Sequence, residues 1–316
     1  MAITRPGSYV WIDGEMIRWD AATVHVTKLG WSTMGAVFEG ISAYWNPEQE
    51  QLYGLQFSEH YARLLNSMKL MRMEQKFTVG DLVQASIDLL RANENREDVR
   101  VRPLAYHADA TWFGGLLDSA TSVVITTAPF TSSLGSEPRL RACVSSWDRI
   151  SDNQLSPRVK CISNYQNSRM ALIEATTRGF DQPILLNVQG KVTEGPASCL
   201  FIVRNGVAIT PSLTSGILES ITRQSILQFC RDVLEIPTAE REIDRTELYV
   251  ADEVFFCGTG AEVRAVVSVD DYVVGSGEIG PITTAVESYY HDIVRGRESR
   301  YEHWRVPVYS QVAQGR

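Results

Sequence analysis

Two hydrophobic patterns alternate along the first 128 residues. Short apolar runs bounded by turn residues predict strands, and apolar positions that recur every three or four residues predict helices. The predicted strands are Tyr9–Ile12, which runs into an Asp13-Gly14 turn, and residues 36–41, 51–55, 100–106 and 122–127. The predicted helices begin after an N-cap at Ser58 and at Val79, the second ending at Ala92. Strands and helices in this mixed order predict an α+β fold.

The pattern changes at residues 129–138, where small polar residues, glycine and proline cluster as in a linker. We therefore predict a small α+β domain over residues 1–128, an interdomain linker over 129–138, and a larger domain over 139–316 that ends in a disordered polar tail after Val308. The larger domain is predicted to contain strands at 140–145, 198–203, 207–210 and 254–257, a hairpin at 183–193, and helices at 164–177, 222–234 and 283–294.

Composition narrows the classes of protein that fit this organisation. A hydrophobic content of 44% and a charged content of 22% are typical of a soluble globular protein. The net charge of −8 argues against a nucleic-acid partner, and no apolar run reaches membrane-spanning length. The five cysteines and five histidines are scattered, which favours neither a disulfide framework nor a metal site. We expect a cytoplasmic protein that uses no metal.

Lys160 is the first candidate for chemistry. It follows Pro157, directly precedes a predicted helix, and is one of five lysines in a chain rich in arginine. Lysine can form a Schiff base once burial or neighbouring cations lower its pKa, whereas arginine cannot. The local alternative is a solvated lysine before a helix.

Three further segments combine residue types that suit one cofactor. Glu194 follows a predicted strand, where a carboxylate can pair with a pyridine nitrogen. Ser220 to Thr222 begin a predicted helix, whose free N–H groups favour a phosphate. Cys257 to Ala261 are small enough for backbone amides to approach an anion. Each segment also has a plain structural interpretation: a turn glutamate, an ordinary N-cap and a tight turn.

In chain order, these segments and others resemble the class IV (fold type IV) pyridoxal-phosphate enzymes, and within them the branched-chain amino acid aminotransferases. The resemblance runs from about Tyr9 to about residue 290. Its motifs are Val37-Phe38-Glu39-Gly40-Ile41, His60-Tyr61-Ala62-Arg63-Leu64, Arg102-Pro103-Leu104, Lys160 with Asn164-Tyr165, Glu194-Gly195, Ile221-Thr222-Arg223, and Ala251-Asp252-Glu253-Val254-Phe255 with Gly258-Thr259. The implied fold is a small α+β domain, a larger pseudo-barrel domain and a homodimer that completes each site.

The resemblance also implies roles for matching residues. Lys160 would bind pyridoxal 5′-phosphate as a Schiff base and move the substrate proton, Tyr165 would bond the phenolate oxygen, and Glu194 would pair with the ring nitrogen. Leu218 would lie on the ring face. The implied phosphate ligands are Arg63, Ile221, Thr222 and Thr259, and the implied substrate-side residues are Phe38, Gly40, Arg102 and Gly260.

Several positions depart from the branched-chain pattern. Thr33, Arg100 and Ser133 stand where the family has tyrosine, Ser42 where it has a basic residue, and Ser220 where it has glycine. The loss of three aromatic hydroxyls predicts a wider substrate pocket, and Arg100 beside Arg102 predicts a more cationic one.

We therefore expect a pyridoxal-phosphate aminotransferase that moves an amino group from a branched-chain or bulkier amino acid to a 2-oxo acid by a ping-pong route. The expected assembly is a homodimer or a higher homo-oligomer. The alternatives are an (R)-selective amine transaminase, an aminodeoxychorismate lyase and a non-catalytic pyridoxal-phosphate-binding protein.

Overall fold

A computed structural model describes residues 7–109 and 119–309 of the chain. These residues form two compact units. The first unit contains the residues up to Ser132 together with those from Asp292 onward, and the second spans Ser133–His291. The sequence placed residues 139–316 together, whereas the structure groups the segment from Asp292 with the first unit. The predicted polar tail lies almost entirely outside the described residues.

The first unit is built on an eight-stranded sheet whose final strand comes from the C-terminal segment. Its other strands are β1 (Tyr9–Ile12), β2 (Glu15–Arg18), β3 (Val37–Phe38), β4 (Ile41–Asn46), β5 (Gln51–Leu55), β6 (Val99–His107) and β7 (Thr121–Pro129). The β1–β2 turn forms as predicted, because Asp13 and Gly14 both adopt positive φ angles, 50° and 103°. β6 pairs antiparallel with β7 along its whole length, from Val99 to His107.

Three helices belong to this unit: α1 (Leu29–Met34), α2 (Phe57–Leu70) and α3 (Val79–Ala92). α3 has the predicted bounds, and Thr78 and Asp81 form a reciprocal capping box at its start. The predicted N-cap of α2 at Ser58 is wrong, since Gln56 caps it in a left-handed conformation with φ 49°. The Gln56 amide donates to the carbonyl of Trp304 at 2.6 Å, a tertiary contact that no local pattern reveals.

The second unit contains another eight-stranded sheet. Its strands are β8 (Arg139–Val144), β9 (Gln182–Ile184), β10 (Cys199–Arg204), β11 (Val207–Thr210), β12 (Thr238–Glu240), β13 (Glu253–Gly258), β14 (Glu262–Val269) and β15 (Tyr272–Val273). The main strand order is β12-β11-β10-β13-β14-β8-β9. Asn205 and Gly206 form the predicted turn between β10 and β11, with φ angles of 51° and 78°.

Helices α4 (Asn164–Thr177), α5 (Ile221–Asp232) and α6 (Pro281–Val294) accompany this sheet. α4 has the predicted bounds, and α5 and α6 each begin earlier than predicted. The main core of the unit is aliphatic, with Leu200, Ile202, Val254 and Val266 among its buried members. Burial of these side chains supplies most of the driving force for folding the unit.

The C-terminal segment adds the last strand, β16 (Arg305–Pro307), to the first sheet. β16 pairs antiparallel with β5, from Arg305 opposite Leu55 to Pro307 opposite Tyr53. The sequence did not predict this strand, because three residues carry no detectable periodicity. Within the described residues, none of the helices is both long and apolar enough to cross a membrane.

Candidate active site

The start of α4 places Lys160 next to Tyr165. The Lys160 Nζ donates to the Tyr165 Oη at 2.5 Å, and both side chains are half-buried. The buried amide of Asn164 holds the preceding segment by donating to the carbonyls of Ser156 and Val159, each at 2.9 Å. A lysine amine and a phenol are therefore held together by a fixed turn and the first residues of a helix.

Glu194 is buried at the end of a short antiparallel connection and its carboxylate is fully engaged. The Arg149 Nη2 lies 2.7 Å from Oε1, and the Leu218 amide donates to Oε2 at 3.2 Å. The Cys199 thiol donates to Oε2 at 3.8 Å. These contacts pair the buried carboxylate with donors and fix it in one orientation.

Arg149 is a site residue that sequence reasoning missed. Its side chain is only 7% exposed, and besides Glu194 it approaches the hydroxyl of Ser168 and the carbonyl of Gly216 at 3.5 and 3.4 Å. Ser168 lies on α4 three positions after Tyr165, so the two share one face of that helix. Arg149 thus contacts both the Glu194 carboxylate and the helix that carries Tyr165. Arginine is common enough in this chain that no local signal distinguished it.

The start of α5 supplies backbone donors. Ser220 is the N-cap, and its hydroxyl accepts from the Arg223 amide at 3.2 Å. Ile221 and Thr222 are the first residues of the helix, where backbone N–H groups have no partner within the helix. Leu218, whose amide bonds Glu194, lies three residues before Ile221, so the segment that holds the carboxylate continues directly into these amides.

Thr259 and Gly260 lie in the tight turn between β13 and β14. Gly258 pairs with Glu262 at its base, and Glu262 is buried with φ 54°. The Ser133 amide and hydroxyl both donate to the Glu262 carboxylate, at 2.6 and 2.7 Å. Ser133 is therefore tied to the base of the turn that carries Gly260.

The predicted substrate-side residues of the first unit share one sheet face. Arg100 and Arg102 are two positions apart on β6 and therefore point to the same side. Phe38 lies opposite Leu104 on that face, and Gly40 lies where an added Cβ would come 4.0 Å from the Arg100 Cδ. Arg102 is exposed.

Arg100 differs from Arg102 in its contacts. Its guanidinium lies over the Phe130 ring, 4.1 Å from the centroid, and its Nη1 donates to the Ser42 hydroxyl. Thr33 bonds back to the carbonyl of Leu29 within α1. The expectation that Arg100 offers a second guanidinium to a carboxylate stays a prediction, and these contacts make Arg102 the better placed of the two.

Arg63 takes part in a buried ionic cluster with Glu39 and His60. The Arg63 Nε and Nη2 contact the two Glu39 oxygens at 2.7 Å each, and the His60 Nδ1 lies 2.8 Å from Oε2. Burial raises the pKa of Glu39, but Arg63 and His60 outweigh it and hold that pKa at about 2, below the ordinary 4.5. Glu39 and His60 were not predicted to have a role. Their contacts fix the direction of the Arg63 guanidinium.

The donors of the second unit fit pyridoxal 5′-phosphate by their chemistry. A lysine amine beside a phenol suits the carbonyl carbon and phenolate of the cofactor, and a buried, charge-paired carboxylate suits its ring nitrogen. A capped helix N-terminus suits its phosphate. Arg149 keeps Glu194 oriented for that use.

Comparisons with known proteins agree with this chemistry. The family model described as amino-transferase class IV matches residues 36–269. The chain belongs to the class IV aminotransferases. It is 42% identical to a probable branched-chain-amino-acid aminotransferase of Aquifex aeolicus, over 96% of this chain and 97% of that protein. It is 35% identical to the branched-chain-amino-acid aminotransferase of Escherichia coli strain K12, over 93% of this chain and 95% of that protein.

Solved structures place this class IV aminotransferase in the same fold. The holo, PLP-form structure of the branched-chain amino acid aminotransferase from Thermobaculum terrenum matches with a TM-score of 0.94 and 44% identity, over 96% of this chain and 99% of that one. The predicted α+β, fold type IV architecture and the predicted aminotransferase activity are thereby confirmed. The names of these relatives do not favour the amine transaminase, lyase or non-catalytic alternatives.

Proposed function

We propose that this chain catalyses pyridoxal-phosphate-dependent transfer of the amino group between branched-chain amino acids and a 2-oxo acid. The observations that carry the proposal are two pairs, Lys160 with Tyr165 and Arg149 with Glu194, together with the Arg149 contact to Ser168 on the helix that carries Tyr165. The named activity of relatives that match over more than nine-tenths of the chain supports the choice of substrate.

When bound, the cofactor supplies an electron-accepting ring that makes the substrate Cα–H acidic. Lys160 would hold it covalently through Nζ and, once displaced by substrate, move the proton at Cα. Tyr165, next to Nζ, would hydrogen-bond the phenolate oxygen, and Glu194 would keep the ring nitrogen protonated. Leu218 would lie against the ring.

The phosphate would be held by backbone amides and two side chains. Ile221 and Thr222 lie at the start of α5, where the helix dipole favours an anion. Thr259 would contribute from the β13–β14 turn, and the sequence resemblance adds Arg63 to the proposed phosphate ligands. Glu39 and His60 would hold the Arg63 guanidinium in place, since Glu39 stays ionised at neutral pH.

Substrate selection would depend on Arg102, whose guanidinium can bind a carboxylate bidentately. Phe38 and Arg100 lie on the same sheet face as Arg102, and the sequence adds Gly40, Thr33, Ser133 and Gly260 as proposed substrate-side residues. Small residues at Thr33 and Ser133 leave room for donors larger than valine.

We also propose that the functional assembly is a homodimer or a higher homo-oligomer. Trp147, Leu155 and Ile162 flank Lys160 in sequence, and each is at least 40% exposed in the single chain. Burial of such side chains between copies would be favourable. Sedimentation velocity would test this, and a monomer at micromolar concentration would contradict it.

Borohydride reduction followed by peptide mapping tests the core of the proposal. We expect the purified yellow protein to carry its reduced pyridoxyl group on Lys160. Lys160→Ala should keep part of the cofactor through its phosphate contacts and catalyse no transamination from L-leucine. The matched control is Lys191, a half-buried lysine that pairs with Asp244 at 2.5 Å and should carry no pyridoxyl group. A pyridoxyl group mapped to Lys191 or Lys28 would contradict the assignment.

A further inference from the structure

A cleft of about 210 Å³ lies within the second unit, on the side of the sheet that carries Phe256 and Arg264. These two residues are direct neighbours across β13 and β14. Leu140 of β8 and Leu172 of α4 form further apolar walls, and Gln182 of β9 adds an amide. The cleft therefore has apolar sides and three polar side chains, those of Gln182, Ser198 and Arg264, which is the usual composition of a small-molecule site.

The cleft carries a positive charge that no carboxylate among its described lining residues balances. Arg264 is the one ionisable residue among the ten described residues that line the cleft. Its Nε is buried and has no hydrogen-bond partner within residues 7–109 and 119–309. An unpaired buried guanidinium nitrogen is unfavourable, and a bound anion would relieve that cost. The planar fork of arginine matches a carboxylate in particular.

The volume restricts the size of that anion. An apolar cavity of roughly 150 Å³ holds benzene, so one of about 210 Å³ has room for roughly eight non-hydrogen atoms. A carboxylate with a short branched alkyl chain has this size, and the leucine and phenylalanine walls would bury its alkyl part. We propose that the cleft is a second binding site, specific for short apolar monocarboxylates, with Arg264 holding the carboxylate and Gln182 donating to it.

The site differs from the proposed active site. Gly260, a proposed substrate-side residue, lines the cleft, so the two sites adjoin at the β13–β14 turn, but none of Lys160, Tyr165 and Glu194 lines it. An occupant would therefore contact the turn that carries Thr259 without touching the reacting atoms. The chain would bind a carboxylate of the same chemical class as its proposed substrates at a place where no reaction occurs.

Isothermal titration of the holoenzyme with 4-methylpentanoate tests the proposal, because this acid has neither the amino nor the oxo group needed for transamination. We expect Arg264→Gln to weaken one binding event about tenfold to a hundredfold, the usual effect of losing a hydrogen bond to a charged group. Arg264→Lys, which keeps the charge and loses the fork, should weaken it less. If Arg264→Gln does not fold, the affinity of Arg264→Lys for 4-methylpentanoate tests the proposal in its place.

Arg139→Gln is the matched control, since Arg139 lies on the neighbouring β8 but is exposed and pairs with Glu278. It should leave the affinity unchanged. Equal affinity in wild type and Arg264→Gln would overturn the proposal. The proposal would also be overturned if Arg264→Gln changed the oligomeric state and left the affinity for 4-methylpentanoate unchanged. In that case the group bound by Arg264 would be a carboxylate of a second copy of the chain. Lys160→Ala should retain the site, so this result does not depend on the cofactor assignment.

Discussion

At the scale of single residues, the site depends on how one carboxylate is held. Glu194 is bonded by a guanidinium, an amide and a thiol, so its carboxylate is held in one orientation. Lys160, Tyr165 and Glu194 could be selected from the sequence because their residue types and spacing match a family motif. Arg149 could not, and Glu39 and His60 were found only as motif members without a role, because the importance of all three comes from partners that are distant in sequence.

Glu194→Gln should lower transamination far more than cofactor affinity. The substitution keeps the size of the side chain but removes the negative partner of the ring nitrogen. The loss of a charge-assisted hydrogen bond is worth about 1.5–3 kcal/mol, which corresponds to about a tenfold to hundredfold fall in kcat. Single-turnover kinetics with L-leucine would measure it. Glu219→Gln, at an exposed carboxylate paired with Arg158, is the control and should leave turnover unchanged. Wild-type turnover in Glu194→Gln would mean that Glu194 is only a turn residue.

At the scale of elements, Arg100 and Arg102 lie on the same face of β6 but are expected to have different roles. Arg102→Ala should raise the KM for a 2-oxo acid about tenfold or more, because a bidentate contact to the substrate carboxylate is lost. Arg100→Ala should affect KM less, since its guanidinium already contacts Phe130 and Ser42. Steady-state kinetics with 4-methyl-2-oxopentanoate would compare them. A larger effect at Arg100 would reverse the assignment.

A second prediction at this scale concerns the Ser220 cap at the N-terminus of α5. Ser220→Ala removes the hydroxyl that caps the Arg223 amide and should lower the free energy of unfolding by about 1 kcal/mol, whereas Ser220→Gly should lower it by only a few tenths. Urea unfolding would measure both, and a fluorescence titration would measure cofactor affinity.

Thr78→Ala is the control for that pair, because Thr78 caps α3 in the same way. It should destabilise the protein without changing the affinity for pyridoxal 5′-phosphate. An equal loss of affinity in Thr78→Ala and Ser220→Ala would mean that the affinity follows overall stability and that the α5 terminus has no specific role.

Most elements were predictable where local signals agree with the tertiary structure. α3 has the predicted bounds because its capping box and its apolar periodicity coincide, and the Asn205-Gly206 turn demands positive φ angles. α4 also has the predicted bounds, although its N-cap side chain makes no capping hydrogen bond. The start of α2 was wrong because Gln56 is held by Trp304. β16 was not predicted, because three residues carry no local strand signal and the strand is defined only by its pairing with the distant β5.

At the scale of the molecule, the buried Glu39 cluster predicts how the first unit responds to acid. The pKa of Glu39 is about 2 in the folded state and near 4.5 when the group is free. A carboxyl with a lowered folded pKa stabilises the fold fully above pH 4.5, and this contribution is lost as the pH falls towards 2. Its size is on the order of 3 kcal/mol.

Urea unfolding between pH 6 and pH 3, at constant ionic strength, would measure this loss. Glu39→Gln should be less stable at neutral pH, because it loses the charge that pairs with Arg63. Its stability should also depend less on pH, because the glutamine side chain does not bind a proton in this range. An unchanged slope in that variant would show that other carboxyl groups determine the acid response.

The pairing of β16 with β5 also constrains the order of events during translation. The Tyr309 amide donates to the Gln51 side chain at 2.9 Å across 258 positions of the chain. At a synthesis rate of about 5–20 residues per second, the ribosome adds the second partner roughly 13–50 s after the first. During that interval the nascent chain holds β5 with one open edge, which other strands can join. The first unit, although it begins first, is completed last.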